Sequence, residues 1–184
     1  MLKSLAAIAI AMGGLLVIQA ADPQRGLLNE TDQAFVKHAA ANGGVAAKVA
    51  ELGAQKAEKA EVKEIAQHII ADHTAANAEL AAVANLKGVP ISAVIEPRGA
   101  NAFQGLERVK GDDFDRSFID QMRRDHKKMI GALEDEAKKV KDTELKAWVD
   151  KTLPTMKSLL DRIENIFAKL PAPPTSNDGV LPPN

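Results

Sequence analysis

Residues 32–87 read DQAFVKHAAANGGVAAKVAELGAQKAEKAEVKEIAQHIIADHTAANAELAAVANLK, and residues 115–170 read DRSFIDQMRRDHKKMIGALEDEAKKVKDTELKAWVDKTLPTMKSLLDRIENIFAKL. The two stretches align without a gap at an offset of 83. Asp32 falls on Asp115, Phe35 on Phe118, Ala54 on Ala137, Glu61-Val62-Lys63 on Glu144-Leu145-Lys146, Ile65 on Trp148, and Leu80 on Ile163. Each copy has the length and period of a helical hairpin, and a hairpin alone leaves its apolar face uncovered. Two hairpins docked face to face bury both, so the expected fold is all-α, a four-helix bundle.

Working outward, the helices are expected over about residues 30–57, 60–87, 112–140 and 143–170. Short polar side chains from Asn29 to Asp32 can cap the first, and Gly88-Val89-Pro90 ends the second. Residues 88–111 hold two prolines and several glycines, with room for a short helix around 100–110. That many residues can travel the length of a bundle, so this segment is the expected crossover. At about 100° per residue, Val62, Ile65, Ala66, Ile69, Ala76, Leu80 and Val83 form one stripe on the second helix. The equivalent stripes are Phe35, Ala39, Ala46 and Val49 on the first; Phe118, Met122, Met129, Leu133 and Val140 on the third; and Leu145, Val149, Leu153, Leu160, Ile163 and Phe167 on the fourth. Arg123-Arg124, Lys127-Lys128 and Glu134 to Lys139 lie mostly off these stripes and read as solvated surface; the alternative is an anion or lipid-headgroup patch.

The flanks set an address. Residues 1–21 have Lys3, an apolar run from Leu5 to Ile18 and small residues at Ala20 and Ala21, the pattern of a signal peptide. The run is about 14 residues, short of the roughly 20 that span a bilayer, so cleavage and a periplasmic location are expected, with an uncleaved anchor as the alternative. Residues 22–29 are a short linker, 30–170 the bundle, and 171–184 a Pro-rich tail expected to be disordered. With Lys3 removed, 23 basic residues face 25 acidic ones, which argues against a nucleic-acid partner. No cysteine is present, which excludes disulfides and thiolate ligands. Nothing in the sequence names a partner, and a homodimer is compatible with it.

Two histidines interrupt the apolar stripes. His73 lies near the centre line of the second helix and His126 within the stripe of the third. Each stands about 15 residues, or roughly 22 Å of helix, from its hairpin turn, so both are expected in the middle layer. Their counterparts at the offset of 83 are Gly43 and Met156, which should meet them there. Met122 and Met129 project to the same region, Asn42 points inward, Gly43-Gly44 leaves room, and Pro154 should kink the last helix beside Met156. One reading is a metal or small-ligand site using His73 and His126, the thioethers of Met122, Met129 and Met156, and Asp72 or Asp125 at its edge. Imidazole with thioether favours Cu(I), whereas two imidazoles with carboxylate suit zinc or iron. The other reading is a pair of neutral, hydrogen-bonded core histidines with methionines filling gaps, or a plain cavity. No cofactor is expected, with a single transition-metal ion as the alternative. His68 faces away from the core, and His38 sits at the edge of the first helix.

EVKEIAQHIIADHTAANAEL (61–80), FDRSFIDQMRRDHKKMI (114–130) and ELKAWVDKTLPTMKSLL (144–160) resemble the signature segments of the bacterial family of domain of unknown function 4142, the paired Asp72-His73 and Asp125-His126 most specifically. The resemblance covers about residues 30–170 and implies an exported, ferritin-like bundle with no settled activity. Ferritin-like di-iron sites use Glu-x-x-His, but Ile70 and Arg123 stand three residues before His73 and His126. The resemblance also implies a glutamate near Ala46-Ala47 and a histidine near Ser158, and this chain has neither. The expected role is a non-enzymatic envelope or stress-associated binding or structural protein. The alternative is a periplasmic copper, zinc or iron-binding bundle built on His73 and His126.

Overall fold

The computed structural model describes residues 26–91 and 97–171. The expected leader over 1–21, the linker as far as residue 25 and the tail from residue 172 lie outside the described residues. Five helices follow one another: α1 (Glu30–Lys56), α2 (Ala60–Leu86), α3 (Pro97–Arg108), α4 (Gly111–Lys139) and α5 (Thr143–Lys169). The protein is an all-α bundle of four long helices, with α3 carried in the crossover. No described helix is long and apolar enough to cross a membrane.

Local chemistry fixes the ends. The Asn29 side chain accepts from the Asp32 amide at 2.9 Å, and Asp142 does the same for Leu145 at 2.9 Å. The start of α2 has no side-chain cap on its own helix. Its cap comes from α4, where buried Asp115 accepts from the amides of Glu58 at 3.0 Å and Lys59 at 2.8 Å. At the far end of α2, Gly88 takes a φ of 66°, and the amides of Gly88 and Val89 return to the carbonyls of Asn85 and Ala84. A side chain at position 88 would strain that left-handed turn, which is why glycine ends the helix.

Packing defines the ring. α1 lies on α2, α2 on α5, α5 on α4 and α4 on α1. Glu61 pairs with Lys169, Glu64 with Arg162, and Glu79 with Lys151, so α2 and α5 run antiparallel. Lys87 closes that ladder inside the protein, 2.6 Å from Asp142 and 2.8 Å from Glu144. Burial alone would lower the Lys87 pKa, but the two carboxylates outweigh it and hold the ammonium above its ordinary value. Each neighbour in the ring is antiparallel to the next, which leaves α2 and α4 parallel on one diagonal.

The core runs the length of the ring, from stacked Phe114 and Phe118 near one end to Val36 and Leu133 toward the other. The α1–α4 contact is close enough that a Cβ on Gly53 would lie 2.4 Å from Phe118 Cζ.

Several positions differ from the sequence expectation. On α5 the buried face takes in Trp148, Thr152, Leu159 and Ile166 beside the expected Met156, whereas Leu153, Leu160 and Phe167 are half-buried. The helix continues through Pro154. Glu136, expected on the surface with its neighbours from Glu134 to Lys139, is fully buried. It stands at the repeat equivalent of Gly53 and therefore faces α1, where it meets buried Asp32. Asn42 is exposed rather than inward, because Gly43 takes the inward position on that turn of α1.

Candidate functional site

Mid-bundle, side chains from all four long helices line a cavity of about 250 Å³. His73 from α2 and His126 from α4 reach it across the diagonal, each 1% exposed. Their Nε2 atoms are 3.3 Å apart, with the rings at 85° to one another. His126 Nδ1 lies 2.8 Å from the Met122 carbonyl oxygen. A carbonyl only accepts, so Nδ1 carries the proton and, in the neutral ring, Nε2 is a bare lone pair. His73 Nε2–H then donates to it. The pair is a hydrogen bond between two neutral imidazoles, the tautomer of His126 fixed by the Met122 carbonyl and that of His73 by His126.

Neutrality follows from burial. Desolvation, with repulsion from His126 second, pulls the His73 pKa down to about 3. His126 is also lowered, by desolvation first, although the Met122 carbonyl and the Asp125 charge oppose the shift. Both rings are therefore neutral in the physiological range, the form that ligates a metal.

The positions paired by the repeat meet as the offset suggests: Gly43 and Met156 line the same cavity as His73 and His126. Met156 is buried and Met129 half-buried on its wall. Met122 is fully buried but outside the lining, and it contributes its carbonyl rather than its sulfur. Asp125 lines the cavity and accepts from Gln121 at 2.7 Å. Asp72 is half-buried and does not line it. Among the described residues, no three of His, Cys, Asp and Glu come close enough together to hold a metal ion. A carboxylate-rich site of the di-iron kind therefore does not fit the described residues; what the cavity presents is two imidazoles with Met129 and Met156 in its lining.

Asn77 and Trp148 escaped the sequence reading. Asn77 lies one turn beyond His73, and a Cβ on Gly43 would fall 2.2 Å from its Oδ1, so glycine at 43 admits the amide between α1 and α2. The only signal for this was the Gly43-Gly44 pair, which announced close approach without naming the partner. Trp148 Nε1 donates to the Ala76 carbonyl at 2.9 Å, and Phe35 packs edge-on against its ring. His68 lies outside the cavity, 3.6 Å from Glu64, whereas His38 is exposed and lies at the cavity's rim.

The family described as domain of unknown function (DUF4142) matches residues 18–166. The chain belongs to the DUF4142 family. Two solved structures share the fold of this DUF4142 chain. A DUF305 fragment from Deinococcus radiodurans superposes with a TM-score of 0.70 at 16% identity, covering 78% of this chain and 99% of that one. A protein described as CopM in the Cu(I)-bound form superposes with a TM-score of 0.63 at 21% identity, covering 74% and 95%. No curated protein sequence matches the chain.

Proposed function

We propose that this DUF4142 protein is a non-enzymatic, exported metal-binding bundle that holds one Cu(I) ion between His73 and His126. The observation that carries the reading is the 3.3 Å separation of two neutral Nε2 atoms on the wall of a cavity that also presents Met156 and Met129. Two imidazole nitrogens bound at about 2.0 Å, with an angle of about 110–120° at the metal, stand about 3.3–3.5 Å apart. The pair thus already has the spacing of two ligands to one ion. Thioether partners and the lack of a carboxylate set favour a soft ion over zinc or iron. The bundle shared with the Cu(I)-bound CopM supports the choice of copper.

His126 offers its Nε2 lone pair as it stands. His73 becomes a ligand by passing its proton from Nε2 to Nδ1, a tautomer change that leaves the ring neutral. Export is supported by the signal-peptide pattern of residues 1–21.

A second reading rests on the same pair. The bond between the imidazoles and the bond to Met122 pair both Nε2 atoms and His126 Nδ1 without an ion, as in a purely structural or interaction bundle. Elemental analysis and anaerobic Cu(I) titration of the mature protein, beside a His73→Leu/His126→Leu double variant, separate the two. One copper per chain that disappears in the variant is expected. Wild type without stoichiometric copper, or a variant that binds as wild type does, refutes the metal reading and leaves the structural one.

A further inference from the structure

The two histidines are each 1% exposed, yet the cavity around them has exposed residues in its lining. Of its lining residues, the exposed ones are His38 and Asn42 on α1 and Lys128 and Ala132 on α4. Those contributed by α2 and α5 are buried or half-buried. The cavity therefore opens through the α1–α4 seam, which Ala39, Gly43 and Ala46 leave thin. Inward from that seam the donors are graded by exposure: His38 exposed, Met129 half-buried, then His126, His73 on α2 and Met156 on α5 buried. His38 alone also borders a cleft on the outer face of α1, with Glu30, Gln33 and Lys37. A second molecule can reach it there.

Copper chemistry makes that gradient matter. Cu(I) travels bound to a carrier, and it changes hands by associative exchange, in which an incoming donor bonds before the outgoing one leaves. Donors that are 1% exposed cannot touch a carrier's ion. Resting on the Cu(I) reading above, we infer that the α1–α4 seam is the loading path of the site and that His38 is its capturing ligand, taking Cu(I) from a carrier and passing it inward by way of Met129. One copper–donor bond forms as another breaks at each step, and the oxidation state is unchanged.

The test uses the Cu(I)–bicinchoninate complex as carrier under anaerobic conditions, following loss of its colour on mixing with the mature protein. His38→Gln should reach the wild-type final occupancy but load about tenfold more slowly. His68→Gln, which alters an exposed histidine away from the seam, should load at the wild-type rate. A His38→Gln variant that loads as fast as wild type overturns the proposal. So does one that loses final occupancy as His73→Leu does, because His38 would then be a resident ligand. If wild type takes no copper at all, the Cu(I) reading itself fails and this proposal falls with it. Wild-type loading that needs His73 and His126 but ignores His38 refutes the path alone.

Discussion

Replacing one histidine of the pair should harm the metal-free protein more than replacing both. His73→Leu removes the donor to His126 Nε2, and His126→Leu removes the acceptor of His73 Nε2–H, so each leaves a polar nitrogen unpaired at a site that is 1% exposed. A buried group left without its partner costs about 1–3 kcal/mol. The double variant strands neither nitrogen and replaces two rings with apolar side chains of similar size, so its stability should lie within about 1 kcal/mol of wild type. With two single losses of about 1–3 kcal/mol each and a double variant near wild type, the double-mutant cycle carries a coupling energy of about 2–6 kcal/mol. Urea denaturation followed by far-UV circular dichroism, with a Cu(I) chelator present, measures it.

The pH dependence carries the same signature. Both histidines titrate lower folded than unfolded, His73 falling from 6.5 to about 3. Below pH 6.5 the unfolded chain binds protons that the folded chain refuses, so this part of the stability is complete above about 6.5 and is lost as pH falls toward 3. For His73 the loss reaches about 1.4 kcal/mol per pH unit, His126 adds to it in the same direction, and the double variant should lack both. With free Cu(I) buffered at about 100 times its Kd, wild type alone should gain about 2.7 kcal/mol. An additive cycle, in which the double variant is as damaged as the two single variants combined, refutes the hydrogen-bonded pair.

Other perturbations probe the frame around the site. Burial first, and Asp32 next, raise the Glu136 pKa against the opposing Lys139 ammonium 3.2 Å away, so the folded protein keeps a proton that the unfolded chain loses near pH 4.5. Stability from this group falls as pH rises above that value, by up to about 1.4 kcal/mol per unit. Glu136→Gln should remove that slope and be the more stable protein at neutral pH; urea titrations at several pH values with unchanged slopes would sink the assignment. Asp115→Ala strips both amide bonds from the start of α2 and should cost about 2–4 kcal/mol by chemical denaturation, with Asp115→Asn recovering part; a loss under about 1 kcal/mol contradicts the cross-helix cap. Gly53→Ala drives a methyl into the buried Phe118 ring and should lower stability by about 1–3 kcal/mol despite its better helix propensity. Gly131→Ala on α4 meets nothing within 4 Å and should raise it by up to about 1 kcal/mol.

The bundle was legible because its instructions are local and repeated. Two hairpins with apolar stripes at helical spacing have few ways to close, and counting residues from each turn placed His73 and His126 at one level. The same count brought Gly43 and Met156 to them. Projection of single helices could not say which level a side chain serves, so Met122 was grouped with the cavity although only its carbonyl reaches His126. Nor could it weigh tertiary partners. Trp148 turns inward because its indole finds the Ala76 carbonyl, and Glu136 sits inside a run of charges because the repeat places it opposite α1. Residue type suggested surface there, whereas the offset of 83, pairing position 136 with the tightly packed Gly53, already pointed inward.

His73 belongs to the first hairpin and His126 to the second, and 53 residues of chain separate them. An ion held by both would be a reversible cross-link between halves that otherwise meet through packing, ion pairs and hydrogen bonds. By the chain-entropy relation used for disulfides, closing a loop of that length constrains the unfolded chain by about 4 kcal/mol. A protein with no cysteine would thus carry its staple in the middle of the bundle, fastened when copper is present and released when a chelator removes it.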